Sequence, residues 1–351
     1  MDNLILPLFG AIISFFLTIF LLPRSFSNLV KHNFIAKDMY KVDKKFLPTN
    51  AGLIIYLVAL IVILILPLLS RIIFILSNIE TGIFYDEHTI SLLIVVSIYA
   101  TYGLVDDIID VGRILKVLFP VVFCLPLSYV ISPESVEIPF LGTYNNLNSN
   151  AFFSITYNDI IRYIFIPIYV MVVSNLVNMH SGYNGLQTGL SIILLITLLI
   201  KSIHEDKFET ISISMAFLGA MVGFLLYNFY PSKVFEGNIG SLLFGSLLGS
   251  LIVLHEFWFF GFFILIPHTC NFLLWLYWLI MMRVDKEHYL LEDGNHIKFG
   301  SISHDGNIDV PFPLTLKWIP NYYFRLNEIQ SVLIMYIITT FFCVLGLIIF
   351  K

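Results

Sequence analysis

Apolar runs about twenty residues long recur through nearly the whole chain, and they constrain its fold more than any other feature. As helix, a run of that length crosses the hydrocarbon core of a bilayer. About ten such spans are expected, at 4–22, 51–70, 89–105, 117–133, 159–176, 187–203, 209–229, 240–256, 257–282 and 329–350. The eighth and ninth are the hardest to separate. Composition agrees: 58% of the 351 residues are hydrophobic and 12% charged, against about 25% charged in a soluble domain. The expectation is an all-α integral membrane protein, one polytopic domain over 1–351. The first run starts almost at Met1, with no basic region or small-residue cleavage site before it, and reads as a retained span. A net charge of −5 gives no electrostatic case for a nucleic-acid partner. Cys124, Cys270 and Cys343 all fall in apolar segments. They read as buried small hydrophobes rather than a disulfide framework or a metal site.

Orientation follows from the basic residues. The loops at about 23–50, 106–116, 175–186, 231–239 and 283–328 alternate with the others in sidedness and hold most of the nineteen Lys and Arg. The positive-inside tendency places these loops in the cytosol. Every unusual polar motif then lands on one face.

The first motif is Tyr102-Gly-Leu-Val-Asp106-Asp107-Ile-Ile-Asp110-Val-Gly-Arg113-Ile-Leu-Lys116. A carboxylate at the bilayer centre costs roughly 2.5–3.5 kcal/mol on insertion scales, so charge at the edge of a span usually marks a site. If helix continues past the span, Asp106 and Asp110 share a face at i,i+4 and Asp107 joins Asp110 at i,i+3. Clustered carboxylates can hold Mg²⁺ while leaving coordination positions for substrate phosphates. Lys116 adds a point charge suited to phosphate. The plainer reading of the same residues is an acidic interfacial cap followed by positive anchors.

The second motif is Asn175-Leu-Val-Asn178-Met-His-Ser-Gly182-Tyr-Asn184-Gly185-Leu. Asn175, Asn178 and Gly182 are spaced for one face of a helix end, and Asn184-Gly185 signals a turn. An Asn carbonyl oxygen is a hard ligand for Mg²⁺, and a glycine turn lets backbone N–H groups approach a phosphate. The alternative is a helix C-cap with a polar loop. His180 reads as a bystander. The third motif, Glu236-Gly237-Asn238-Ile-Gly240, enters a span at a helix start, where an anion or cation site fits. Small residues continue to Gly249, which close helix packing alone would explain. The fourth, Ala36-Lys37-Asp38-Met39-Tyr40-Lys41 followed by Pro48 and Gly52, is by itself an ordinary basic loop facing lipid headgroups.

In this order the four stretches resemble the polyprenyl-phosphate N-acetylhexosamine-1-phosphate transferases, and within them the archaeal and eukaryotic UDP-GlcNAc:dolichyl-phosphate GlcNAc-1-phosphotransferases. The specific element is Gly182-Tyr-Asn184-Gly185-Leu186, where bacterial relatives typically carry Asp in place of Asn184. The resemblance covers nearly the whole chain and implies an active site at the cytosolic face. It implies that Asn178 binds Mg²⁺ (or Mn²⁺) and that Asn184, with Asn175, Gly182 and Gly185 beside it, contacts the nucleotide sugar. Asp106 and Asp107 are implied as the acidic pair required for activity, with Asp110 a candidate catalytic residue by its spacing from them, and Lys116 as the lipid-phosphate cation. Lys37, Met39 and the region of Thr49 would hold the uracil end of the donor. Asn238 stands where the family usually has an aspartate as second metal ligand; Glu236 is close enough in sequence to restore that charge. The Arg-His-Arg pattern of the eukaryotic last loop is absent, and 304–326 resembles the archaeal form.

The resemblance thus implies transfer of GlcNAc-1-phosphate from UDP-GlcNAc to dolichyl phosphate, giving dolichyl-PP-GlcNAc and UMP. This is the first step of lipid-linked oligosaccharide assembly for N-glycosylation. An apolar groove beside the fourth, fifth and ninth spans would admit the lipid. Partners are UDP-GlcNAc, a polyprenyl phosphate and membrane lipid; a homodimer is compatible. The location would be an archaeal plasma membrane, with the endoplasmic reticulum as the alternative. Alternatives for function are a bacterial-type undecaprenyl-phosphate sugar-1-phosphate transferase and a catalytically silent lipid-binding relative. A transporter would set its carboxylates near the midplane on broken helices in paired halves, and the motifs here gather at one face.

Overall fold

Long apolar sequence becomes long helix. The computed structural model describes residues 2–77, 83, 85–112, 115–138, 141–152, 155–285, 289, 297 and 299–350; Arg113 lies outside them. The membrane-length helices are α1 (Asp2–Lys31), α2 (Gly52–Ser77) and α3 (Glu87–Ile109). They are followed by the continuous stretch Tyr157–Met179, which comprises α6 (Tyr157–Ile160), one π-turn and α7 (Ile166–Met179). Then come α8 (Leu186–His204), α9 (Ile211–Asn228), α10 (Gly237–Leu254) and α14 (Glu328–Ile349), the last preceded by the short α13 (Trp318–Tyr323). These make eight helices among the described residues that are long and apolar enough to cross a membrane. The pair α11 (Trp258–Ile264) and α12 (Ile266–Val284) is apolar enough to make a ninth if taken together, but is bent by 63° at the break between them. The protein is an all-α, multi-pass membrane protein.

The expected fourth span, 117–133, is a short broken pair. Helix α4 (Leu115–Phe123) stops at Cys124, and α5 (Leu125–Val130) restarts with Pro126 in its first turn. Proline has no N–H to continue the ladder, so the apolar stretch divides; it is shorter than the other spans, yet leads from Lys116 beside Asp106 at the motif end to Ser132 beside Asn158 at the opposite end. At the other extreme, α1 runs nine residues beyond its expected end, through Pro23 to Lys31. Cys124 and Cys343 are buried as expected, but Cys270 is exposed on α12; all three are free thiols.

Helix α10 is the axis of the bundle, and its sequence of Gly, Ser and Leu explains why. A Cβ on Gly245 would lie 2.5 Å from Ser174 Cα of α7, and one on Gly103 of α3 would lie 2.6 Å from the Asn238 carbonyl. With only hydrogen at these positions, backbones approach to van der Waals contact, the usual source of helix affinity in lipid. The main apolar core surrounds α10. A second one lies under the motif-bearing end, where Tyr40, Tyr183, Trp278, Phe312 and Trp318 gather the first loop, the second motif and the last loop. The hairpin β1 (Ile35–Lys37) to β2 (Phe46–Pro48), paired Lys37 to Phe46, belongs to this end. The hairpins β3–β4 (Val136–Ile138, Gly142–Tyr144) and β5–β6 (Asn150–Phe152, Ile155–Thr156) connect α5 to α6 at the opposite end. A last short pair, β7–β8 (Ser301–Ile302, Ile308–Asp309), precedes α13.

Candidate active site

The site is built where α3 ends over the beginning of α10. Gly237 starts α10 with φ +72°, a backbone conformation side chains other than glycine rarely adopt. It also brings Asp107 close: a Cβ there would sit 2.9 Å from Asp107 Oδ2 and 2.6 Å from Asn50 Oδ1. Asp107 Oδ1 accepts the backbone N–H of Asn238 at 3.2 Å, and Oδ2 accepts that of Ile239 at 3.3 Å. A helix N-terminus favours an anion through its free N–H groups and its dipole. The helix start that reads as an anion site is therefore filled by the chain's own carboxylate.

Asp106 is 7% exposed and engaged on both oxygens. Oδ1 accepts Val111 N–H at 2.9 Å and pairs with Lys116 Nζ at 2.9 Å; Oδ2 accepts Asn238 Nδ2 at 2.9 Å. The Asn238 amide oxygen has no hydrogen bond among the described residues. Asp110 behaves differently from expectation. Helix α3 ends at Ile109 and Asp110 is its left-handed C-cap (φ 48°), so no helical face joins it to Asp106. Its carboxylate is exposed, and it meets Asp106 only through Lys116, 3.1 Å from Asp110 Oδ1.

On the other side of α10 runs α7, antiparallel. Gly249 lies against Val170 and Gly245 against Ser174, a register that carries Asn178 to the level of Ser241, one turn from Asn238. Gln187 ties this junction, donating from Nε2 to the Val177 carbonyl at 2.9 Å and accepting Ser241 Oγ at 3.0 Å. The Asn178 amide is half-buried and makes no hydrogen bond among the described residues. Asn175 donates back to the Met171 carbonyl of its own helix at 2.9 Å. Helix α7 stops at Met179, so Gly182, at φ +107°, is off the helical face that its spacing suggests. Lys317 Nζ fills the space beside it, donating to the Ser181 carbonyl at 2.6 Å. Gly185, at φ +76°, is the N-cap of α8, as an Asn-Gly turn requires.

Residues 89–256, which carry the first three motifs, match the family described as glycosyl transferase family 4. Among similar proteins is a phospho-N-acetylmuramoyl-pentapeptide-transferase of Streptococcus mutans, 30% identical over 71% of this chain and 73% of its own. The chain belongs to glycosyl transferase family 4. Two archaeal members are provisionally named UDP-N-acetylglucosamine–dolichyl-phosphate N-acetylglucosaminephosphotransferase. That of Sulfolobus acidocaldarius is 29% identical over 76% of each chain, and that of Saccharolobus solfataricus 29% identical over 68% of each.

Within this family 4 member, Asp106, Asp107, Lys116 and Asn238 form one cluster, with Asn178 a turn away. Asn184 belongs to a second cluster with Asp38, Lys41 and Glu328. Lys37 is exposed on β1, Met39 packs on the second core, and Thr49 is half-buried after β2 with its N–H on the Phe34 carbonyl at 2.9 Å. Glu236 does not turn toward Asp106: it accepts Asn228 Nδ2 at 3.1 Å, and burial pushes its carboxyl up to about 7. His180 is a buried neutral ring against His268, centroids 4.6 Å apart, its pKa held well below the usual range by burial. Sequence reasoning missed Lys41, Glu328 and Lys317 as site residues. Glu328 carried a usable signal, a carboxylate at the edge of the last span, the same kind that marks Asp106; Lys317 carried none.

Lys317 lies over the Tyr183 and Tyr40 rings, 5.0 and 5.7 Å from their centroids. Burial lowers its pKa from 10.5 to about 8, against an opposing pull from Glu328. Between those values the unfolded chain binds a proton that the folded chain does not, so this residue's contribution to stability rises with pH through that window. The melting temperature of wild type is therefore expected to gain on that of Lys317→Met between pH 7.5 and pH 10. A difference that is flat with pH would contradict the buried ammonium.

Proposed function

We propose that this protein transfers GlcNAc-1-phosphate from UDP-GlcNAc to dolichyl phosphate, releasing UMP, at the cytosolic face of an archaeal plasma membrane. The observation that carries the reading is a carboxylate pair at the start of α10, Asp106 buried and Asp107 half-buried, with Lys116 beside it, at the end of an apolar groove. That groove, about 520 Å³, runs between α3 and α4 along Tyr102, Val105, Ile109, Leu115, Phe119 and Phe123 and ends on Asp110. It lies between the third and fourth spans. A polyprenyl chain lying in it brings its phosphate to Lys116. The names of the archaeal relatives and the Asn184 turn support the dolichyl substrate over the bacterial one.

The donor set suits a hard divalent cation. No group of three or more His, Cys, Asp or Glu poised for a metal occurs among the described residues. Two carboxylates and the amide oxygens of Asn178 and Asn238, neither hydrogen-bonded among the described residues, are oxygen donors of the kind Mg²⁺ takes alongside substrate phosphates. When bound, Mg²⁺ neutralises charge on the diphosphate and the leaving UMP. The chain's own residues do the rest. Lys116 holds the acceptor phosphate, and Asp106 orients Lys116 and Asn238. Asp107 fixes the first turn of α10. A phosphate monoester is already largely ionised near neutral pH, with a second pKa of about 6, so no strong base is needed for its oxygen to attack the β-phosphorus.

Asn238→Asp sets a carboxylate against Asp106 in place of an amide N–H. Its melting temperature without Mg²⁺ is expected to fall below wild type and to recover as Mg²⁺ is added, with half-maximal rate reached at lower Mg²⁺ than in wild type. Indifference to Mg²⁺ in both measurements would place the cation elsewhere. Lys116→Met is expected to raise KM for the lipid phosphate about tenfold or more while KM for UDP-GlcNAc changes little, as loss of a charged hydrogen-bond partner of phosphate requires. An effect confined to the nucleotide would assign Lys116 to the donor.

A further inference from the structure

At the end of the bundle opposite the active site, a cavity of about 580 Å³ opens where α8, α10 and α14 finish and α11 begins, with residues of the β3–β4 hairpin along its edge. That volume suits a small ligand, and none of the four motifs reaches it. Its lining is of two kinds, aromatic and charged. Phe257 and Trp258 are buried in the wall, whereas Phe259 and Ile349 are exposed and carry the apolar surface outward from the cavity. Aromatic rings are enriched at this depth, where helices pass from hydrocarbon to headgroups.

The charged residues are unevenly paired. Lys201, in the last turn of α8, is buried; it pairs with Glu205 and donates to the Phe350 carbonyl. Lys207 donates to the His255 carbonyl and lies over the Phe257 ring, 4.9 Å from its centroid. Among the described residues its one carboxylate neighbour is Glu205, at 3.9 Å, beyond hydrogen-bonding distance. An ammonium has three N–H groups, so Lys207 is held in place with donors to spare. Glu256 is its counterpart. It follows α10 in the left-handed conformation (φ 61°), a position helices usually give to glycine. Its carboxylate is exposed and makes no hydrogen bond or ion pair among the described residues.

Two opposite charges with bonding capacity left over thus border one aromatic cavity at the edge of the bilayer. A simple anion would meet Glu256 as well as Lys207, and a simple cation the reverse; a zwitterion suits both. A soluble zwitterion would leave Phe259 and Ile349 uncovered, whereas a lipid brings chains to cover them. We propose that this cavity binds the headgroup of a zwitterionic aminophospholipid from the leaflet opposite the active site. The phosphate sits at Lys207, the primary ammonium at Glu256, and the chains run over Phe259 and Ile349. Occupancy ties the ends of α8, α10, α11 and α14 together and stabilises the bundle. The site stands apart from the transfer chemistry and does not depend on it.

The test uses the full-length protein, stripped of lipid in detergent, with bound lipid counted by native mass spectrometry. Phosphatidylethanolamine is expected to bind about tenfold more tightly than phosphatidylglycerol, which lacks the ammonium, or phosphatidylcholine, whose trimethylammonium has no N–H for Glu256. Glu256→Gln is expected to weaken phosphatidylethanolamine about tenfold and to leave phosphatidylglycerol as tight or tighter, while Lys207→Met weakens both about tenfold. The melting temperature is the second reading: phosphatidylethanolamine raises it in wild type and not in Glu256→Gln. Equal binding of the three lipids by wild type, or a Glu256→Gln protein that keeps the preference, overturns the proposal. Glycerophosphoethanolamine, the same headgroup without chains, separates a lipid from a soluble ligand. It is expected to compete only at concentrations about a hundredfold higher, since it buries no chain; competition at equal concentration overturns the lipid assignment. If Lys207→Met cannot be obtained folded, because its tie to the His255 carbonyl is lost, the exposed Glu256→Gln decides alone.

Discussion

Asp107→Asn is expected to lower turnover at saturating donor by about a hundredfold or more, a loss typical of removing a preorganised electrostatic group. The reason is visible in its partners. Both carboxylate oxygens accept N–H groups of the first turn of α10, and an asparagine has only one oxygen to offer them. Its N–H₂ faces the remaining N–H, donor against donor, and the helix start that positions Asn238 is pushed away. Asp106→Asn is expected to fail for a related reason, because it removes the charge that holds Lys116 and collides with the Asn238 amide. UMP release measured across a Mg²⁺ titration reads both variants. Full rate regained at high Mg²⁺ would mean that the carboxylates only tune the cation; rates within threefold of wild type would remove them from the site.

Gly103→Val is expected to abolish activity without touching a polar residue. Its Cβ would sit 2.6 Å from the Asn238 carbonyl and from Ile239 Cα, both backbone. Helix α10 cannot retreat, since on its other side Gly245 already meets Ser174 backbone. Helix α3 has to move instead, taking Asp106 and Asp107 with it. Overpacking of this kind costs roughly 1–3 kcal/mol in a well-packed core, and a shift of about 1 Å in reacting groups can cost about a hundredfold in rate. Gly10→Ala is the control, because its Cβ would meet only the flexible end of Leu66. A Gly103→Val protein with ordinary turnover would show that α3 and α10 need not touch for the site to work.

Much of this was legible in the sequence because bilayer thickness and carboxylate cost act on local sequence. Run length gave eight of the spans; it did not reveal that the 117–133 run is broken at Cys124 before Pro126, or that the α11–α12 pair bends by 63°. Charge at span edges gave Asp106, Asp107 and Lys116. Where a helix stops was not legible to the residue, which is why Asp110 and Gly182 were placed on helical faces they do not occupy. The second cluster was hidden for a different reason. Lys41 and Glu328 are 287 positions apart, and nothing local in either segment specifies the other. Asn184 stood out because its turn was recognisable, but its partners Asp38 and Glu328 come only from tertiary packing.

The most direct measurement supplies the purified full-length protein with UDP-GlcNAc labelled in the sugar, dolichyl phosphate and Mg²⁺, and follows UMP and the organic-extractable label together. The account predicts equal amounts of UMP and a dolichyl-pyrophosphoryl-GlcNAc, neither formed by Asp107→Asn. Free sugar phosphate without glycolipid, or no UMP from a folded protein under these conditions, would contradict it.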